Sequence, residues 1–170
     1  VKTPADLAGV KLRMPGSKEW LFLGQALGAS ATPLAFTEVY LGLKTGTIDA
    51  QDNPLPTLKS AKFYEVTKQI VLTGHLVDAL QLAIAEKTWQ SLSTADRAEV
   101  KAAAAKAAKF NDDNREREEK DLVEFFRSQG IAVTTPDVGA FRKTVQAAYL
   151  KSEYAEKWPR GLLERINAVR

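Results

Sequence analysis

The chain has 170 residues, 45% of them hydrophobic, with 24 Lys and Arg, 21 Asp and Glu, a formal charge of +3 and no cysteine. That apolar content suits one domain or one and a half, and the absent cysteine excludes disulfides and thiolate chemistry. The charges are interleaved rather than gathered in a stripe, which argues against a nucleic-acid surface, and no apolar run approaches the ~20 residues that cross a bilayer. There is neither an initiator Met nor a secretory signal, so Val1 reads as an internal position of a longer protein.

Thr3-Pro-Ala-Asp-Leu-Ala-Gly9 signals a one-turn helix: a Thr cap, Pro at the first helical position and Gly at the stop. Val10–Met14 is a short strand closed by Pro15-Gly16. Ser17 caps a helix through about Leu27, with Trp20, Leu23 and Leu27 on one stripe and Gly28 at its end. Ser30–Phe36 is extended around Pro33, Thr37 caps a second helix that stops at Gly46, and Ile48–Gln51 is a third extended piece. Pro54 and Pro56 restart the chain as a short helix through Tyr64. Lys68–Thr73 and Ala79–Ala85 are apolar strand candidates flanking a Gly74-His75 turn. This alternation predicts an α/β fold, a mixed or parallel sheet with helices on its faces and short right-handed crossovers.

Ser93-Thr-Ala-Asp96 is a capping box, and helix formers continue from there to Gln129, with Gly130 as the stop. One helix over Ser93–Gln129 would be ~55 Å long. A compact chain of this size is only roughly 40 Å across. From Asn111 to Asp121 there is no apolar side chain, so a continuous helix would be a brace between bodies. The competing reading is two helices broken near Asn111-Asp-Asp-Asn114. A strand at Ile131–Val133 follows, then helices from Asp137 and from about Ser152, interrupted by Pro159.

Few residues suggest chemistry. Arg13, alone at the end of its strand, offers five rigidly forked donors that match a carboxylate, and strand ends of α/β sheets are where ligands bind. The same Arg could sit in an ordinary surface ion pair. Glu38 falls in the first turn after Thr37, where an acid is favoured anyway, and neither Glu38 nor Asp49 is paired with a nucleophile. His75 is the only histidine, so a multi-histidine metal site is excluded, and a structural role in its turn is the simpler reading. There is no nucleophile elbow and no Gly-rich phosphate loop. Arg115-Glu-Arg-Glu-Glu-Lys120 reads as a solvated helix face. Trp20, Trp89 and Trp158 are too scattered to form a stacking platform. Enzymatic chemistry has no foothold in this sequence.

Several stretches together, in order along nearly the whole chain, carry a resemblance. They are Val10-Lys-Leu-Arg13-Met-Pro-Gly-Ser17, Thr32-Pro-Leu-Ala-Phe36-Thr-Glu38-Val-Tyr40, Ile48-Asp-Ala-Gln-Asp-Asn53-Pro54, Ser60-Ala-Lys-Phe-Tyr-Glu-Val66, Leu72-Thr-Gly-His75, Lys87-Thr-Trp89-Gln-Ser-Leu92-Ser93 and Gly130-Ile-Ala-Val-Thr-Thr-Pro136-Asp137. The chain resembles the C-terminal half of the periplasmic substrate-binding proteins of TRAP transporters, the DctP/SiaP type.

That resemblance implies a binding protein, not an enzyme, with no cofactor and no metal. Arg13 would pair with the carboxylate of a small organic acid. Asn53 would contact the ligand from a motif that here reads Gln51-Asp52-Asn53-Pro54, where the family has Glu before the Asn. Phe36 would line the same cleft, with plain core packing as its competing role, and Gly16 and Ser17 would offer further contacts. It also implies a two-lobed protein that closes by hinge motion. Residues 1–92 would form an α/β ligand-binding lobe, 93–129 a spanning helix, and 130–170 a strand and helices packing back, with the N-terminal lobe absent. The expected partners are the carboxylate and the TRAP membrane permease subunits, the expected place the periplasm, and nucleic acid is not expected. The missing lobe makes a dimer or a domain swap a further expectation. The alternative is a protein-interaction or self-associating α/β module without a small ligand, which a large exposed apolar patch would mark. An uncharacterised hydrolase or transferase would instead need a perturbed titratable pair in a cleft.

Overall fold

The computed structural model describes residues 1–76 and 80–169. Its centre is a three-stranded parallel sheet in which β1 (Lys11–Met14) lies between β2 (Ser30–Pro33) and β3 (Ala50–Gln51). The register places Arg13 beside Thr32 on one side and Gln51 on the other. Parallel neighbours need crossovers. α1 (Lys18–Ala26) supplies the first, starting where the Ser17 hydroxyl accepts the Trp20 N–H. α2 (Val39–Thr45) supplies the second, entered through a 3₁₀ turn at Phe36–Glu38 and stopped by Gly46 at φ +75°.

α3 (Leu55–Ser60) and a 3₁₀ turn at Phe63–Glu65 lead to β4 (Gln69–Val71). Next come α4 (Glu86–Ser91), α5 (Thr94–Ser128) and β5 (Ala132–Thr134), which pairs in parallel with β4 as a second sheet. α6 (Val138–Leu150), α7 (Glu153–Glu156) and α8 (Leu162–Ala168) finish the chain. The fold is α/β, with parallel sheets flanked by helices.

Two apolar clusters hold these elements. Leu12 and Met14 of β1, Leu23 and Leu27 of the α1 region and Phe141 of α6 form one. Contact there is close enough that a Cβ on Gly24 would lie 2.9 Å from the Ala31 Cβ. Val39, Ile48, Leu58, Phe63, Ile70, Leu122, Phe126 and Ile131 form the other, joining α2, α3 and the C-terminal end of α5 to the second sheet. Gly28 closes α1 at φ +98°, where a Cβ would sit 2.8 Å from the Pro4 carbonyl oxygen. Gly28→Ala is therefore expected to cost about 1–3 kcal/mol of stability, combining left-handed strain with a backbone clash. A lower denaturant midpoint at unchanged m would register it.

α5 is continuous through Asn111–Asn114, so the two-helix alternative does not hold. Its 35 residues span about 52 Å. The Ser93 hydroxyl accepts the Asp96 N–H at its start, and Lys109 pairs with Asp113 across the polar middle. Only Leu122 and Phe126 of its described residues are buried.

One expectation is corrected. Of the strand placed at Ala79–Ala85, Ala79 lies outside the described residues, and 80–85 form no strand. Leu80, Leu82 and Ile84 are 82%, 73% and 46% exposed. A period-2 apolar pattern becomes a strand only when a neighbour takes its backbone N–H and C=O groups, and no described strand lies against it. α4, by contrast, was not anticipated.

Candidate ligand site

Arg13 belongs to the middle strand, so both its backbone neighbours are fixed by the sheet. It is 5% exposed, the one charged residue in the buried set of the described residues. Burial of a guanidinium is costly unless its donors are used. Nε donates to the Leu34 carbonyl oxygen at 2.8 Å, which locks the side chain toward the turn after β2. Among the described residues the Nη groups make no protein hydrogen bond, and they are not sealed from the adjoining cleft. Burial lowers the Arg13 pKa from its ordinary value, and the negative charge of Asp52 partly offsets this. Asp52 acts from a distance: no Arg13–Asp52 contact falls within salt-bridge range.

Arg13 opens onto a cleft of about 470 Å³ lined with Pro15, Gly16, Pro33, Leu34, Ala35 and Glu38. Its floor is the strand-end turn chemistry of the sequence: Pro15-Gly16 stops β1 and Pro33 ends β2. Phe36 lies beside the cleft, its ring centroid 6.0 Å from the Arg13 Cζ and 5.6 Å from the ring of Phe63. Phe63 is buried while Phe36 is 45% exposed, so Phe36 presents apolar surface next to the cation.

Asn53 follows β3, and its Nδ2 donates to the Gln51 Oε1 at 2.5 Å. It is not among the residues lining the cleft. Ser17 is also off the cleft, exposed and engaged as the cap of α1. Gly16 lines it, with open space where a Cβ would stand. Thus the structure brings Arg13, Gly16 and Phe36 together, places Asn53 on the neighbouring strand end, and gives Ser17 a structural task.

The sequence places Glu38 at a helix start, and it does stand at the start of α2, but it also lines the cleft. Sequence reasoning gave no weight to the contact of Asp52 with His75, 3.5 Å apart. No sequence signal identifies a meeting of residues that far apart in the chain. No group of three potential metal-ligating His, Cys, Asp or Glu residues occurs among the described residues. The cleft therefore offers one fixed cation for an anion and an acidic acceptor suited to hydroxyl groups, with an aromatic ring beside it.

The profile of the family described as bacterial extracellular solute-binding protein, family 7 (DctP), matches residues 1–156. The sialic acid-binding periplasmic protein SiaP of Vibrio cholerae is 44% identical over 144 residues, covering 85% of this chain and 45% of its own length. A TRAP periplasmic solute-binding protein of Roseobacter denitrificans, solved with bound 3-deoxy-D-manno-oct-2-ulosonic acid (KDO), is 52% identical with a TM-score of 0.93. The match covers 99% of this chain and 55% of that one. A second protein from that organism, solved with L-galactonate, is 34% identical with a TM-score of 0.87, again over 99% and 55%. These relatives are solute-binding proteins rather than enzymes, and the chain spans about half their length. No described helix is long and apolar enough to cross a membrane. The chain belongs to the DctP family of bacterial extracellular solute-binding proteins.

Proposed function

We propose that the protein carrying this chain captures a small hydroxylated carboxylate in the periplasm and delivers it to a TRAP-type permease. The observation that carries this reading is the buried Arg13, which lines a cleft and whose Nη donors have no protein partner among the described residues. An exposed Arg would gain little from an anion, but a pre-positioned and partly desolvated one gains a charge-assisted, bidentate pair. Arg13 anchors the carboxylate, Asn53 orients the ligand, and Phe36 packs against its apolar edge. Gly16 contributes backbone, and Ser17 contributes through the helix start it fixes. Glu38 accepts from ligand hydroxyls. KDO and L-galactonate, named for the two Roseobacter relatives, are both acids of this hydroxylated class. In this reading residues 1–92 are one lobe, 93–129 the spanning helix and 130–170 the returning segment, and the other lobe comes from the rest of a two-lobed protein.

Isothermal calorimetry against aldonates, uronates and ulosonic acids, with the matching neutral sugars as controls, tests this. Acids are expected to bind and neutral sugars not to. Equal affinity for an acid and its neutral counterpart would remove the carboxylate anchor.

A second reading has one observation behind it. Leu80, Leu82 and Ile84 leave an exposed apolar run with its backbone unpaired in any described sheet. Such a run is a template for another strand. The chain studied alone is then expected to self-associate, with a sedimentation coefficient that rises with concentration. A single concentration-independent monomer would remove this reading.

A further inference from the structure

β3 lies at one edge of the central sheet, and Gln51 is its last residue. The register sets Gln51 beside Arg13, as it sets Ala50 beside Leu12. Leu12 and Ala50 turn into the apolar cluster shared with α1 and α6, so Arg13 and Gln51 belong to the opposite face of the sheet. The Gln51 Oε1 accepts from the Asn53 Nδ2 at 2.5 Å. That bond leaves the Gln51 Nε2 and the Asn53 Oδ1 without a protein partner among the described residues, and neither atom is sealed from solvent. The carboxylate reading gives Gln51 no task of its own.

We propose that Gln51 is a positioning residue of the ligand site: it holds the Asn53 carboxamide in one orientation at the end of β3, ready for a hydroxyl of the acid that Arg13 anchors. The proposal rests on the carboxylate reading above. An Asn side chain has two free torsions and can present either end of its amide. Pro54 follows Asn53 and restricts its backbone to extended conformations. Gln51 restricts the side chain. With one Nδ2 N–H given to Gln51, Asn53 keeps one donor and one acceptor, the pair an alcohol group needs. Neighbouring strands are about 4.8 Å apart, so a hydroxyl a carbon or two from a carboxylate on Arg13 falls within reach of the end of β3. Fixing the amide beforehand spares the ligand the loss of rotamer freedom that ordering a loose Asn would entail.

One neutral hydrogen bond sets the scale of the effect. Gln51→Met keeps the length and nearly the volume of the side chain but accepts nothing from Asn53, so a role in packing survives it and a role in positioning does not. Its expected loss is about three- to tenfold in Kd, smaller than that of Asn53→Ala. Because Gln51 acts through Asn53, the two losses do not add. In an Asn53→Ala background Gln51→Met is expected to change Kd by less than about twofold.

The test has two arms on the intact protein. In the first, without ligand, the Asn53 side-chain amide is followed by NMR and assigned by its loss in Asn53→Ala. Its protons are expected to exchange with water faster in Gln51→Met than in the wild type. In the second, Kd for KDO and for L-galactonate is measured by calorimetry on the wild type, Gln51→Met, Asn53→Ala and the double variant, with denaturation midpoints confirming that each is folded. The expected result is a loss in Gln51→Met that disappears in the Asn53→Ala background. An Asn53 amide unchanged in Gln51→Met overturns the proposal. So does a wild-type Kd in Gln51→Met, or a loss of the same size in both backgrounds, which would make Gln51 a contact independent of Asn53. If the wild type binds neither these nor other acids, the carboxylate reading falls and the proposal with it. The NMR arm, which needs no ligand, tells the two failures apart.

Discussion

Arg13→Ala is expected to weaken binding of the best carboxylate by about 2–5 kcal/mol, roughly a 30-fold to 5,000-fold loss. The size comes from what is left behind. The cleft would still enclose the ligand anion, but with no cation facing it and with Glu38 on its wall. Much of the loss is the penalty of a desolvated, unpaired charge rather than the worth of one contact. Arg13→Lys is expected to recover only part, because an ammonium supplies charge without the planar fork and cannot reproduce the Nε bond to the Leu34 carbonyl at the same time. Asn53→Ala removes a neutral donor and acceptor that is already engaged with Gln51, and should cost less, about 1–3 kcal/mol. Calorimetry on the three variants measures the ranking, and their denaturation midpoints separate lost binding from lost folding. Wild-type affinity in a folded Arg13→Ala would show that the anchor lies elsewhere.

Much of the architecture is legible in local chemistry. Ser17 and Ser93 each cap the helix their sequence announces, and Gly46 and Gly130 end helices at positive φ. These signals depend on a residue and its neighbours a few positions away, so no tertiary information is needed. Arg13 stands out in the sequence as a lone Arg at the end of a short apolar run, but the residues alone leave an ordinary surface ion pair open, and its burial is visible only in the fold. The Ala79–Ala85 pattern misled for the opposite reason. Alternation describes what a strand would bury, but the strand itself exists only with a partner, and the described part of the chain supplies none. Glu38 and His75 were hidden differently. Their placement depends on the turn after β2 and on the approach of Thr73–His75 to the end of β3, both consequences of packing. A site made where strand ends converge is written across distant segments, and each segment alone has an adequate structural explanation.

Phe126→Ala carries the largest expected loss of stability, about 3–5 kcal/mol. Phe126 is wholly buried. Its ring lies 5.3 Å from Phe125 and 5.9 Å from Tyr64, and its cluster includes Phe63, Ile70 and Ile131. Truncation would remove those contacts and leave a cavity at the point where α5 is attached. The attachment is narrow, since Leu122 is the only other buried residue described on that helix. Propensity cannot make up the difference, because a polar helix with its apolar contacts at one end takes its stability from packing there. The loss should reach the ligand site indirectly. Ile70 of β4 shares this cluster, and the segment that brings Thr73 and His75 to Asp52 leaves directly from β4. Phe110→Ala is the matched control: the same chemical change on the same helix at a position 68% exposed, expected within about 0.5 kcal/mol of wild type. Guanidinium denaturation of both variants decides the matter. If the two midpoints shift equally, α5 is not held by its C-terminal end; if only Phe126→Ala shifts, that single aromatic contact fixes the long helix and supports the strand beside the site.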